Sequence, residues 1–325
     1  MRFALMIEPQ QGLTYADQLE IARHAEAGGF ETLLRSDHYE SFPGPDDNPT
    51  TDAWAVLAGL ARETTRIGLG ALVSPVTFRL PGNLAKVATT VDEMSGGRIE
   101  VGLGAGWNES EHRRYGFPFP PISERAEMLE EQLEIMHGLW TQPDGWSFHG
   151  RHYAIEGARF RAKPFDGYGR PNTFDGSVRP RIIVGGDGKP RSMRIGVRWA
   201  DEYNITSSDP VSVAEKERAL DDVCHAAGRD PSTLTRSAMV GVLVGANAGE
   251  LDKRETALIK ALELPSGGDW LATRRGRWIF GTPDEARDTV RRFAEAGVER
   301  IMLQDFVPWD LEMIDLLGEE LVGKG

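Results

Sequence analysis

Only one cysteine, Cys224, occurs in the 325 residues, so no intrachain disulfide framework is available and a reducing cytoplasm is the expected compartment. Long apolar runs are missing too. The longest, residues 53–61 between Asp52 and Arg62, is far short of the roughly 20 residues needed to span a bilayer. The opening MRFALMIEPQQ lacks a small-residue cleavage pattern and reads as a first strand rather than a signal peptide. No membrane association is therefore expected. Positive charge is scarce overall: 37 Lys and Arg stand against 50 Asp and Glu, a net −13, which argues against nucleic acid as a partner. Several catalytic signatures are absent as well. There is no G-x-S-x-G of a serine hydrolase, no Walker A spacing and no H-E-x-x-H. His149 and His152 have no second ligand pair, so no metal site is expected. Cys224 falls in a predicted helix, 213–227, without an evident activating base, and reads as packing. What is present is 40% apolar residues, enough for a large core.

Those apolar residues follow two periods. Short β-rich runs at 2–7, 32–36, 67–73, 99–104, 181–184, 202–205, 237–244 and 300–303 alternate with segments whose apolar positions recur every three or four residues. The helices carry start signals: Thr14 with Asp17 forms a candidate capping pair, and Thr282, Pro283 and Glu285 supply an N-cap, a first-turn proline and a capping-box acid. AEAGGFETLLRSD from Ala25 is echoed by AEAGVERIMLQD from Ala294, each a helix end, a glycine stop and a strand. Eight strands joined through helices predict an α/β chain closed as a (β/α)8 barrel, a TIM barrel. Such a barrel needs about 250 residues. The excess falls at 141–180 and 246–280, after the fourth and seventh units, and both read as insertions covering the barrel mouth within one domain spanning 1–325.

Loops after barrel strands build active sites. The second strand ends in Arg35-Ser36-Asp37-His38-Tyr39, bringing an acid and an imidazole to that face. Imidazole titrates near neutrality, and a carboxylate can orient it; the competing role is a strand-end cap beside an arginine. The fourth strand runs into Gly104-Ala105-Gly106-Trp107-Asn108-Glu109. A dinucleotide fingerprint would need glycine at 107, so the Rossmann reading fails. The fifth strand delivers Gly185-Gly186-Asp187-Gly188-Lys189-Pro190-Arg191-Ser192 and then a helix. Glycine-permitted turns, a helix amino terminus and two basic side chains make this the best anion site in the chain. It also lies within a basic island, since residues 151–200 hold 11 Lys and Arg against 4 Asp and Glu. There Arg159, Arg161, Lys163, Arg179 and Arg181 are candidates to meet anionic groups. Trp146, Phe148, Tyr153, Phe160, Phe165 and Tyr168 could wall an apolar pocket or form the small core of a lid.

Taken together, RSDHY, the block GLGALVSPVTFRLPGNLAKVATTVDEMSGGRIEVGLGAGWNE from Gly68, YGFPFPPISER, and IIVGGDG followed by a helix and ADEYN resemble the luciferase-like superfamily of flavin and deazaflavin oxidoreductases over nearly the whole chain. Leu303-Gln304-Asp305 and Asp310-Leu311-Glu312-Met313 resemble its coenzyme F420-dependent branch. The resemblance implies a cofactor ring across the carboxyl ends of the strands, touching Asp37, Leu72, Val73, Ala105, Gly106, Trp107 and Asn108. Its phosphate would lie at Gly185, Gly186, Gly188, Arg191 and Ser192. It implies a non-prolyl cis peptide at Leu72–Val73, a homodimer, and hydride transfer with Asp37 and His38 as the catalytic pair. Some relatives place a glutamate where this chain has Trp107, which leaves Glu109 and Glu111 as substitutes for a second acid. Two alternatives share the barrel: an FMN-dependent monooxygenase fed by a separate reductase, and a carrier that binds a flavin without turnover.

Overall fold

A computed structural model describes residues 1–167, 173–206, 209–264 and 267–324. Tyr168, one of the lid aromatics, lies outside them. The barrel strands are β1 (Arg2–Ile7), β2 (Thr32–Arg35), β3 (Gly68–Pro75), β4 (Ile99–Gly104), β7 (Arg181–Gly186), β8 (Glu202–Thr206), β9 (Thr235–Val244) and β11 (Arg300–Asp305). Each pairs in parallel with its neighbours, and β8 to β9 and β11 to β1 close the ring. The principal outer helices are α1 (Tyr15–Ala27), α2 (Ala53–Glu63), α3 (Pro81–Ser95), α5 (Ile122–Thr141), α6 (Pro190–Trp199), α7 (Pro210–Ala226), α10 (Pro283–Glu295) and α11 (Leu311–Glu320), with a short α4 (Glu109–Tyr115) before α5. Both expected capping boxes form: the Thr14 N–H donates to Asp17 at 2.8 Å, and the Thr282 N–H to Glu285 at 2.7 Å. The stripe Leu129, Leu133, Met136 and Trp140 is buried against the barrel, as is Cys224.

Period-two alternation decides what fills the barrel. At its amino-terminal end Thr32, Glu100, Glu202 and Arg300, from alternate strands, form a charged plug: Arg300 donates to Glu100 and Glu202 at 2.9 Å and to Thr32 at 2.7 Å. Above it lies an apolar layer that includes Met6, Leu34, Leu72, Ile183 and Met302. The next inward positions, among them Ser36, Gly104, Thr206 and Gln304, are small or polar, and there the interior opens.

The two insertions differ from the expected lids. Residues 141–180 contain an antiparallel pair, β5 (Trp146–His149) and β6 (Ala154–Ala158), tied to the outside of α5 by backbone N–H groups of Arg151 and Tyr153 on Glu131. Among the described residues of this insertion none lines the barrel mouth. Its aromatics serve packing, with Trp146, Phe148, Tyr153 and Phe160 against the main core. Residues 246–280 hold α8 (Ala248–Ala261), α9 (Gly267–Arg274) and β10 (Ile279–Gly281), a three-residue strand added to β9. This second insertion reaches the mouth indirectly, through Trp278 stacked on Phe306 at 5.4 Å.

Candidate active site

A cavity of about 920 Å³ opens at the carboxyl ends of the strands. A second concavity, of about 1020 Å³, lies outside the barrel between α6 and α7 and touches no strand end. The mouth cavity is therefore the candidate active site. Its wall on the β3 side is the Leu72–Val73 segment, whose peptide bond is cis, and the β3–β4 register shifts there, between Ala71 and Ser74. Val73 is accommodated because its neighbours lack side chains: a Cβ on Gly104 would come within 2.7 Å of the Val73 methyl, and one on Gly185 within 3.1 Å.

The β7–α6 turn forms the adjoining wall, with Gly185 against Val73. Gly186 packs so tightly that a Cβ would meet the Ser192 hydroxyl at 2.8 Å. No side chain caps α6, and Pro190 occupies its first turn, so the next N–H groups keep no side-chain acceptor. Gly185, Gly186, Arg191 and Ser192 line the cavity, with Lys189 beside them; Gly188, at φ +81°, shapes the turn without lining it. Arg191 donates to the Ser123 carbonyl at 2.9 Å, and Lys189 pairs with Asp187 at 2.8 Å. Leu72, Val73, Ala105, Gly106 and Trp107 also line the cavity. Asn108 does not: it caps α4, accepting from the Ser110 N–H at 3.1 Å. None of Arg159, Arg161, Lys163, Arg179 and Arg181 lines the cavity either. Arg179 is buried on Asp201 at 2.6 Å, and Arg181 begins β7 at the far end of the barrel and bonds Glu202 at 3.3 Å. Among the described residues of the basic island, only Lys189 and Arg191 line the site.

Asp37 and His38 part company. Asp37 is 1% exposed and turns away from the cavity. Its carboxylate accepts from Ser74 at 2.6 Å and from both ends of the Arg79 guanidinium, which also bonds Asp52 at 2.6 Å. Burial would lower the Arg79 pKa, but the carboxylates of Asp37 and Asp52 outweigh it and hold it above its ordinary value. Neighbouring Tyr39 is pushed up to about 12 by burial. His38 does face the cavity. Its Nδ1 lies 3.0 Å from Oε1 of Glu111, a buried residue that also accepts the Tyr39 N–H at 3.0 Å. Phe42 and Trp107 hold the ring edge-on, at centroid distances of 4.5 and 5.9 Å. With Nδ1 anchored, Nε2 is the nitrogen left for a ligand. The acid and imidazole that meet are therefore Glu111 and His38, while Glu109 is exposed on the first turn of α4.

Four further polar residues were not singled out from the sequence. Glu8, just past β1, accepts one amide N–H from Gln10 at 2.8 Å and one from Gln304 at 2.6 Å. Ser36 donates to the other end of Gln10 at 2.5 Å. All four line the cavity. Their signal was positional, each lying at or just past a predicted strand end. Arg125, inside the quoted YGFPFPPISER, supports the wall by donating to the Ala105 carbonyl at 3.0 Å. Among the described residues no cluster of three metal-ligating side chains forms, and no helix is long and apolar enough to cross a membrane.

Comparison with known proteins follows this geometry. A family model described as luciferase-like monooxygenase matches residues 1–300. An F420-dependent glucose-6-phosphate dehydrogenase from Microbacterium testaceum (strain StLB037) is 27% identical over 319 residues, covering 92% of this chain and 90% of its own. An FMNH(2)-dependent dimethylsulfone monooxygenase from Pseudomonas putida is 32% identical over 206 residues, 63% of this chain and 51% of its own. Among solved structures, an F420-dependent secondary alcohol dehydrogenase in complex with an F420-acetone adduct superposes with a TM-score of 0.83 at 21% identity, over 99% of this chain and 98% of that one.

Proposed function

The chain belongs to the luciferase-like monooxygenase family, and from that premise we propose that it is a coenzyme F420-dependent oxidoreductase, moving a hydride between the deazaflavin and a small organic substrate. The observation that carries this reading is the placing of one anchored histidine, His38 on Glu111, opposite a side-chain-free cradle on the same cavity. The cradle suits a phosphorylated, ring-bearing cofactor. Gly185 and Gly186 lie where a Cβ would collide, and the α6 terminus carries no competing side-chain cap. Helix amino termini with free N–H groups favour phosphate. Leu72, Val73, Ala105, Gly106 and Trp107 would border the ring, and Gly185, Gly186, Arg191 and Ser192 the phosphate end; Asn108 and Gly188 shape these walls from behind. When bound, the deazaflavin supplies or accepts two electrons and a proton together, as hydride.

The protein's own part is orientation and proton handling. His38 Nε2 gives a proton to, or takes one from, the substrate oxygen, while Glu111 fixes the ring and balances its charge in the protonated form. Asp37 acts one step removed: its bonds to Arg79 and Ser74 pin the strand end that presents His38. Trp107 and Phe42 narrow the mouth and keep water from the reacting atoms. The chain is further proposed to act as a cytoplasmic homodimer on a small molecule rather than on nucleic acid, in keeping with its net −13; light scattering on the eluting protein checks the dimer.

The test is single-turnover absorbance of bound F420 with His38→Ala. The variant should bind F420 within about threefold of the unaltered protein and lose at least about 100-fold in hydride-transfer rate. Full turnover in His38→Ala, or no binding of F420 by the unaltered protein, contradicts the reading.

A further inference from the structure

The cavity is electrically lopsided. Lys189, Arg191 and Arg125 all lie on its β4–β7 side, where Asp187, which also lines the cavity, pairs with Lys189 at 2.8 Å and leaves the two arginines in excess. On the opposite side β11, β1 and β2 are consecutive, and the charged side chain they present to the cavity floor is Glu8, which is 6% exposed. Among the described residues Glu8 makes no ion pair; its bonds come from two neutral amides. Arg35 feels its charge, but that guanidinium is committed to the Ser36 and Thr51 carbonyls and to the Gln18 side chain. Gln10 is fixed in orientation, since Ser36 donates to its oxygen and its nitrogen donates to Glu8. Glu8 therefore keeps only lone pairs to offer a ligand, and a second negative charge placed beside this buried carboxylate is repelled.

We propose that Glu8 sets the substrate class: an uncharged organic molecule carrying a hydroxyl hydrogen-bond donor, with carboxylated and phosphorylated molecules rejected. This rests on reading the cavity as the substrate site. Held between Gln10 and Gln304, the carboxylate accepts the O–H of a second, non-reacting hydroxyl on the floor, while Nε2 of His38 addresses the reacting oxygen from the side. The remaining wall is apolar, formed by Met6, Leu72, Met239 and Phe306, and suits the hydrocarbon part of such a molecule. Glu8 is thus a specificity-determining residue, distinct from the proton-handling pair His38 and Glu111.

The test compares binding of matched pairs to the purified full chain by ligand-observed NMR, with and without F420. Each pair is a short diol and the same skeleton with a terminal methyl replaced by carboxylate, such as 2,3-butanediol and 2,3-dihydroxybutyrate. The alcohol should bind at least about tenfold more tightly than its carboxylate partner, and Glu8→Gln should bring that ratio close to one. If no alcohol in the panel outbinds its partner, the proposal is overturned without recourse to a variant. A ratio unchanged in a Glu8→Gln protein of unaltered melting temperature overturns it too. Because the readout is binding in the presence and absence of cofactor, its failure is separable from failure of F420 to bind or to exchange hydride.

Discussion

A histidine becomes a directed proton carrier when one ring nitrogen is anchored and the other is open, and at this site the anchor comes from 73 residues downstream. That separation is why adjacency in the sequence offered Asp37 as the partner of His38, while Glu111 entered only as one of two substitutes for a second acid. RSDHY suggested Asp37 because it is adjacent, yet adjacency argues against it: side chains alternate along extended backbone, so Ser36 and His38 face the cavity while Asp37 faces Arg79. Glu111→Gln should therefore lower turnover by roughly tenfold or more in steady-state assays, since an amide cannot balance a positive charge on the ring. Asp37→Asn should instead act through stability. It leaves Arg79 with one carboxylate fewer, and the melting free energy should fall by about 3 kcal/mol, with F420 affinity falling only as far as the strand end loosens. Calorimetry beside a binding titration separates the two effects.

The elements were legible where pattern and punctuation agreed. All eight barrel strands lie where the β-rich runs placed them, and β7 and β11 extend two residues further because their parallel partners continue pairing at Gly186 and Asp305. The three strands that were not legible, β5, β6 and β10, lie at the two insertions, outside the strand–helix alternation that marked the barrel strands. The first insertion does not form the expected lid because Trp146, Phe148, Tyr153 and Phe160 pack against the main core outside the barrel. At the mouth, two glycine-flanked turns do the positioning. Gly186→Ala forces a methyl against Ser192 and the Tyr203 hydroxyl. It should cost about 1–3 kcal/mol in unfolding free energy and weaken F420 more than a phosphate-free analogue of its ring, which paired fluorescence titrations would show.

On the scale of the molecule, the barrel is sealed at one end by ions and open at the other. Arg300, fully buried, is held above its ordinary pKa: burial opposes its charge, but Glu100, Glu202 and Glu31 prevail. The mouth contains the opposite case. Asp305, ending β11 beside Gln304, is pushed up to about 7 by burial. A carboxyl raised in the folded state holds its proton after the unfolded chain has lost it, so stability falls as pH climbs from about 4 to about 7. Asp305→Asn should thus raise stability at about pH 8, by on the order of 3 kcal/mol, and change little at about pH 4, as thermal melts at the two pH values would report. Neither the plug nor Asp305 could be foreseen from composition, because both arise from which strand ends meet when the sheet closes. The charge balance carries the same lesson, since a chain of net −13 presents its cavity with a cationic side and an anionic floor. The most direct test of the whole account is equilibrium binding of F420 and FMN, side by side, to the purified protein. Tighter binding of F420, with its spectrum bleaching when a substrate delivers hydride, is the predicted result; tighter binding of FMN, with oxygen consumed on reduction, would contradict it.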